Sequence, residues 1–246
     1  MLFAPPSVTP PSVIFFDAVG TIFTVRDSVG AAYAQVTAEF GVTINPERVN
    51  QAFYDCFRQA ERMAFPNVAA EAIPACEYAW WQRLAIATFQ ASGDFDKFTN
   101  FEAFFARLYA YFQTAAPWVV YPDTIPALQY WQSQGTKLAV LSNFDHRLYP
   151  VLEALDLAPY FDAVFISTKL GAAKPDQGIF AQGLSHYHLR EKPHQAWHIG
   201  DSLREDYHGA RAIGISAIWL NRSLNHSATV DPAITMIQSL DQLRLA

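Results

Sequence analysis

Basic residues never cluster in this chain. Its 246 residues hold 17 Lys and Arg against 23 Asp and Glu, a net charge of −6, and no run of cations occurs anywhere. A protein that grips nucleic acid must neutralise many phosphates with a basic face, so no nucleic acid is expected as a partner. Cysteine is scarce too. Cys56 and Cys76 are the only two, and they form neither a CxxC pair nor any metal-ligand spacing. Two buried thiols in a reducing compartment are expected, not a disulfide. No stretch approaches the roughly 20 apolar residues of a membrane span, so no membrane insertion is expected. The opening MLFAPPSVTPPSV carries four prolines and no basic residue, which is unlike a signal peptide. These absences together predict a cytoplasmic protein.

What the chain has in quantity is apolar surface: 51% of its residues are hydrophobic, enough for one large domain or for a core with a sizeable insertion. The continuous run Val13-Ile14-Phe15-Phe16, closed by Asp17 and Gly20-Thr21, suits a strand buried on both faces. From Asp27 to about Phe112 the period becomes helical. Val29, Tyr33, Val36 and Phe40 share one stripe that Gly41 ends. Asn45-Pro46 opens a second helix, with Val49, Phe53, Cys56, Ala60 and Met63 on its apolar side. A third carries Trp81, Leu84 and Thr88 and stops near Gly93. Thr99 and Glu102 then form a capping-box pattern ahead of Phe101, Phe105, Leu108 and Phe112. The many aromatics of this block sit at helical spacing and predict a packed core.

After Pro122 strands and helices alternate. Strands are predicted over 137–141, 162–167, 196–200 and 216–220, with helices over 124–134 and 176–188 among them. Such βαβ spacing predicts a doubly wound parallel sheet. The first strand belongs to that sheet, so the α/β core comprises 1–24 and 115–246, and an all-helical domain, 25–114, is inserted after the first strand.

In an open parallel sheet, ligands bind just beyond the carboxyl ends of the strands. Asp17, Ser142-Asn143 and Asp201 follow strands there, and Lys174 lies in the loop after the third. One Asp at a strand end means little, because Asp is a common turn former. Four strand ends converging with Asp, Ser, Lys and Asp mean much more.

These residues carry a resemblance. Phe15-Phe16-Asp17-Ala18-Val19-Gly20-Thr21, Leu141-Ser142-Asn143, Lys174-Pro175-Asp176 and His198-Ile199-Gly200-Asp201-Ser202 with Asp206 resemble, in order, the four motifs of the haloacid dehalogenase-like hydrolases. The match runs from about residue 13 to 220. The helical block sits where subfamily IA inserts its cap, and Asp206-Tyr207-His208-Gly209-Ala210 is similar to the branch named after rhythmically expressed gene 2. The resemblance implies a Rossmann-like core and a Mg²⁺-dependent hydrolase acting on a small phosphorylated metabolite. Asp17 would be the nucleophile and form an aspartyl-phosphate. Asp17, Asp201 and the Val19 carbonyl would hold Mg²⁺, with Asp206 at the metal or behind it. Gly20, Thr21, Ser142, Asn143 and Lys174 would bind the phosphoryl group, Lys174 also serving in catalysis.

One position departs from the pattern. Phosphatases of this superfamily carry a second Asp two residues after the nucleophile, as general acid and base. Here it is Val19, so turnover is expected to be slow. Three alternatives follow. A 2-haloacid dehalogenase needs no metal, but such enzymes lack the Gly-Asp pair kept here as Gly200-Asp201. A phosphonatase needs a Schiff-base lysine, and the block's single lysine, Lys97, adjoins Asp96, which would not depress its pKa. A catalytically weak or inactive protein that binds or assembles with a protein partner is the third. His186, His188, His194, His198 and His208 show no metal spacing and read as structural or surface residues. Arg58, Arg62, Arg83 and Arg107 read as solvated, though one could reach a second anionic group. His146 and Arg147, just after the second motif, are candidates for substrate contact.

Overall fold

The computed structural model describes residues 10–223 and 231–244. Most of the proline-rich opening, residues 1–9, lies outside the described residues. The first strand, β1 (Val13–Phe16), is fully buried. Ile14 and Phe16 point into one apolar cluster, while Val13 and Phe15 point into another on the opposite face. That is why its sequence is continuously apolar and does not alternate.

The other strands of this sheet are β4 (Lys137–Ser142), β5 (Ala163–Ile166), β6 (Ala196–Gly200), β7 (Ser216–Leu220) and β8 (Met236–Ile237), in the order β5-β4-β1-β6-β7-β8. Every neighbouring pair is parallel. Helix α5 (Thr124–Ser133) packs Ala127, Leu128 and Trp131 on one face, and α6 (Gln177–His186) packs Ile179, Phe180 and Leu184 on the other. The doubly wound architecture expected from the sequence is therefore what the chain adopts, with β8 a sixth strand that the pattern did not announce.

Between the first strand and the rest lie α1 (Val29–Ala38), α2 (Pro46–Gln59), α3 (Ile73–Ser92) and α4 (Phe101–Tyr111). Their inner faces gather a third cluster, with Tyr33, Val36, Phe53, Trp80, Leu84, Phe89 and Phe104 among its members. Most of the aromatics are core, as their spacing predicted, but Phe40 is 38% exposed and Tyr54 and Phe57 are 45% exposed. The α2 start is as read: Asn45 accepts the Arg48 N–H and Pro46 sits in the first turn. The capping box at Thr99 is not. Asn100 is the N-cap, and its Oδ1 takes the Ala103 N–H at 3.0 Å, a neutral amide acceptor one residue beyond the threonine. The block is entered and left through an antiparallel pair, β2 (Phe23–Val25) with β3 (Trp118–Val120), too short to show a period in sequence.

Buried Asp123, before α5, ties the C-terminal segment to the loop after β1. It accepts from both Nη atoms of Arg222 at 2.9 and 3.0 Å, from Ser239 Oγ at 2.8 Å and from the Leu240 N–H at 2.7 Å. Arg222 also donates to the Thr21 carbonyl at 2.8 Å. Burial works to raise the Asp123 carboxyl, but the donors from Arg222, Ser239 and Leu240 outweigh it and hold it below its usual value. The stabilisation is present above the ordinary carboxylate pKa and is lost as pH falls through the depressed one. Asp123→Ala should cost about 3 kcal/mol at pH 7, because it strands a half-buried guanidinium and a buried N–H. A urea midpoint series should show this loss shrinking toward pH 2, and a cost under about 1 kcal/mol at pH 7 would refute the clasp.

Candidate active site

At the carboxyl ends of β1 and β6 and in the loop after β5, four ionisable side chains meet. Lys174, only 2% exposed, puts its Nζ 2.6 Å from Asp17 Oδ1 and 2.5 Å from Asp206 Oδ1. Its main chain is fixed by Asn143 after β4. Asn143 Oδ1 accepts the Lys174 N–H at 2.7 Å, and Asn143 Nδ2 donates to the Lys174 carbonyl at 3.0 Å. One amide thus reads both backbone groups of the lysine and locks two loops together. Asn143 Nδ2 also donates to Glu205 Oε2 at 3.2 Å.

Asp206 lies on a π-helical turn, Leu203–His208, after β6. Besides Lys174, it accepts from His198 Nε2 at 2.9 Å and from the Ser202 N–H at 2.9 Å. An ionised carboxylate only accepts, so the fully buried His198 must carry its proton on Nε2. Two glycines make room for the carboxylates. A Cβ on Gly200 would lie 2.1 Å from Asp206 Cγ, and one on Gly20, whose φ is +88°, would lie 2.5 Å from Asp201 Oδ2. Larger residues at either position would expel an acid from the site.

Carboxylate oxygens of Asp17, Asp201 and Asp206 lie within 4.8 Å of one another. Three acids face one ammonium there, and the electrostatics follow. Burial pushes the Asp17 carboxyl up, Lys174 opposes this, and Asp206 adds to the rise. Burial also works to raise Asp206, but Lys174 and His198 outweigh it and hold that carboxyl well below the usual range. Burial would lower the Lys174 amine, yet Asp17 and Asp206 keep it firmly protonated. His198 is held neutral by burial, against the pull of Asp206. Asp201 is open to solvent on one side, but the loss of water on the other, then the charges of Asp17 and Asp206, push its pKa up to about 7.

Other residues singled out in the sequence fall as follows. Ser142 is buried, and its hydroxyl is the least of the influences that lower the Asp17 carboxyl against burial. The Val19 side chain packs on the core cluster. Thr21 is fully buried, its hydroxyl finds no hydrogen-bond partner among the described residues, and its carbonyl accepts from Arg222. Arg147 departs from the expected substrate contact. It is buried, its guanidinium held by Asp145 at 2.6 Å and packed over Trp81 and Tyr109 at 4.7 and 4.1 Å. His146 faces α3, with Nδ1 2.7 Å from Glu77 Oε1. Lys97 is paired with Asp94, not with neighbouring Asp96.

Glu205, the Asn143 clamp and the His198 support escaped sequence reasoning. Glu205 has no period or motif of its own. The alternation of β6 did leave His198 free to reach another element, though not a named partner.

Comparison with known proteins places these residues in context. The family model described as haloacid dehalogenase-like hydrolase matches residues 11–214. Haloacid dehalogenase-like hydrolase domain-containing protein 3 of Xenopus laevis is 35% identical over 204 residues, 82% of this chain and 81% of that protein. The Rhythmically expressed gene 2 protein of Drosophila melanogaster is 29% identical, covering 82% and 80%. Among solved structures, a HAD phosphatase from Thermococcus onnurineus superposes with a TM-score of 0.61 at 24% identity, covering 95% of this chain and 96% of that one. An L-2-haloacid dehalogenase from Xanthobacter autotrophicus superposes with 0.68 at 18%, over 95% and 96%. These last two likenesses are of fold.

A raised Asp201 pKa binds a proton in the folded state that the unfolded chain has already released. Stability must therefore fall as pH rises from the ordinary carboxylate range through about 7. Metal-stripped protein should melt lower at pH 8 than at pH 5.5, and Asp201→Asn should flatten that slope. Equal slopes in the two proteins would show that the carboxylate crowding is not felt.

Proposed function

This chain belongs to the haloacid dehalogenase-like hydrolases, and from that premise we propose that it hydrolyses a small phosphomonoester through an aspartyl-phosphate on Asp17, slowly and with Mg²⁺. The observation that carries this reading is the Lys174 ammonium bridging Asp17 and Asp206 inside a cluster of three carboxylates. The excess of negative charge suits a small hard cation with oxygen ligands. Asp17, Asp201 and the Val19 carbonyl would hold it. Asp206 would stand behind them, because both its oxygens already accept protein donors. When bound, Mg²⁺ supplies Lewis-acid charge neutralisation at the phosphoryl group.

The protein's own residues do the rest. A carboxylate oxygen of Asp17 forms a bond to phosphorus as the bond to the leaving oxygen breaks. Lys174 holds the Asp17 carboxylate toward the substrate and, with Ser142 and nearby backbone N–H groups, takes up phosphoryl charge. Water then attacks phosphorus, releasing inorganic phosphate and restoring the Asp17 carboxylate. Neither step receives a proton shuttle from Val19, and a positioned acid/base contributes roughly 10²–10⁴-fold. Substrates whose leaving oxygen needs little protonation suffer least.

Residues 25–114 serve in this reading as a cap that closes over the site and keeps out water. The setting is cytoplasmic, with no nucleic acid or membrane involved. Among the described residues no helix is long and apolar enough to cross a membrane. Val19 also favours a second reading, a retired enzyme that keeps its site for binding. Against it stands Asn143, which bonds both main-chain groups of a lysine that a binding protein would not need so placed.

Phosphate release from an aryl and an acyl phosphate decides between the two. Wild type should turn over in Mg²⁺, stop in EDTA and stop in Asp17→Asn, while Val19→Asp should gain about 10²-fold. Inert wild type beside an active Val19→Asp would select the retired enzyme. Silence in every folded variant would end the phosphatase reading.

A further inference from the structure

Among the cations of the helical block, most are spoken for. Arg26 donates to the carbonyls of Ala116 and Trp118, Arg48 and Lys97 share Asp94, Arg58 pairs with Asp55, and Arg107 pairs with Glu39. Among the described residues, Arg62 and Arg83 have no such partner. Their positions differ. Arg83 lines a cleft between α2 and α3 with Cys56 and Trp80, away from the four strand ends.

Arg62 sits on the segment that crosses from α2 over the core. The carbonyl of the next residue, Met63, accepts from Ser167 Oγ at 2.6 Å, and that hydroxyl lies 3.3 Å from the carbonyl of Phe144, which follows Asn143. Three residues further on, Pro66 packs against Gly171, in the loop that leads to Lys174. The segment is thus seated on both loops that build the phosphoryl site. The Arg62 side chain is exposed there; burial raises the carboxyl of Glu205, the residue hydrogen-bonded to Asn143, Lys174 opposes the rise, and the Arg62 charge acts on it least of the neighbouring charges.

Resting on the phosphomonoesterase reading, we infer that Arg62 is the contact for a second anionic group on the leaving-group side of the substrate, so that the substrate class is a small phosphomonoester bearing a carboxylate or a second phosphate. Lys174 is consumed by Asp17 and Asp206 and has no charge to spare for a distant anion. A guanidinium offers a planar fork that a carboxylate or phosphate can engage with two hydrogen bonds. Glu205 sharpens the choice, since an anion lying off that fork meets like charge.

Three phosphonates of matched length, which ester hydrolysis cannot cleave, test this by calorimetric titration in Mg²⁺: propylphosphonate, 3-phosphonopropionate and ethane-1,2-bisphosphonate. Wild type should bind one of the two charged compounds at least about tenfold more tightly than propylphosphonate, the fold-change of one charged hydrogen-bonding contact. Which of the two wins identifies carboxylate or phosphate. Arg62→Gln should erase that preference, and Arg83→Gln should keep it. Equal or absent binding of the charged compounds by wild type, or a preference that survives Arg62→Gln, would overturn the inference. An Arg62-dependent preference in a protein that releases no phosphate from any ester would leave this subsite standing and remove the hydrolytic reading instead.

Discussion

The buried ammonium of Lys174 is the interaction around which the rest of the site is arranged. An isolated lysine is not kept charged in so dry a place. It stays charged here because two carboxylates meet it, Asp17 at 2.6 Å and Asp206 at 2.5 Å. Each partner then makes its own demand. Asp206 needs donors for its remaining capacity and receives them from His198 and Ser202. Its carboxyl group occupies the space where any residue larger than Gly200 would put a side chain. Lys174 needs a fixed backbone, which Asn143 gives by bonding both its N–H and its carbonyl. A buried ion pair is weak evidence of stability, but it is strong evidence of placement. The groups that satisfy it come from the ends of β1, β4 and β6 and from the loop after β5, so the sheet must form in register before the charges can meet.

Much of this was legible in the residues. The run Val13-Ile14-Phe15-Phe16 announced a strand buried on both faces because two clusters, one on each side, claim its alternate side chains. Strand ends at Asp17 and Asp201 could be placed because the βαβ period fixes where a parallel strand stops. What stayed hidden depends on distance in sequence. Glu205 is 62 positions from Asn143 and gains meaning only when β4 and β6 lie on either side of β1. Thr21 was placed by motif position alone, which could not show that its side chain is fully buried or that its carbonyl is given to Arg222. Arg147 looked available because it follows the second motif, but Asp145 two residues earlier and two aromatic faces from the helical block bury it. Motif spacing names the chemistry, whereas availability is a property of packing.

The Arg147 arrangement also explains how the two parts of the chain are joined near the site. The loop after Ser142-Asn143 sends Asp145, His146 and Arg147 directly into the helical block. Trp81 Nε1 donates to Asp145 Oδ2 at 2.5 Å, buried Glu77 meets both the main chain and the ring of His146, and Arg147 lies between Trp81 and Tyr109. Cation–π contacts of this kind gain strength when water is excluded. The same loop therefore holds the Lys174 main chain at one end and the helical block at the other.

That coupling bears on why Val19 is compatible with an otherwise complete site. A general acid/base two residues after Asp17 would point toward the leaving group, and its charge would join three carboxylates that one lysine already fails to balance. The apolar side chain packs on the core instead. On the proposed reading the loss would fall on proton transfer alone, because a metal ligand at this position would be a backbone carbonyl, which valine also has. What the structure brings together without that acid/base is Lys174 between Asp17 and Asp206, the Asn143 amide on the lysine's main chain, and the room that Gly20 and Gly200 leave for the carboxylates.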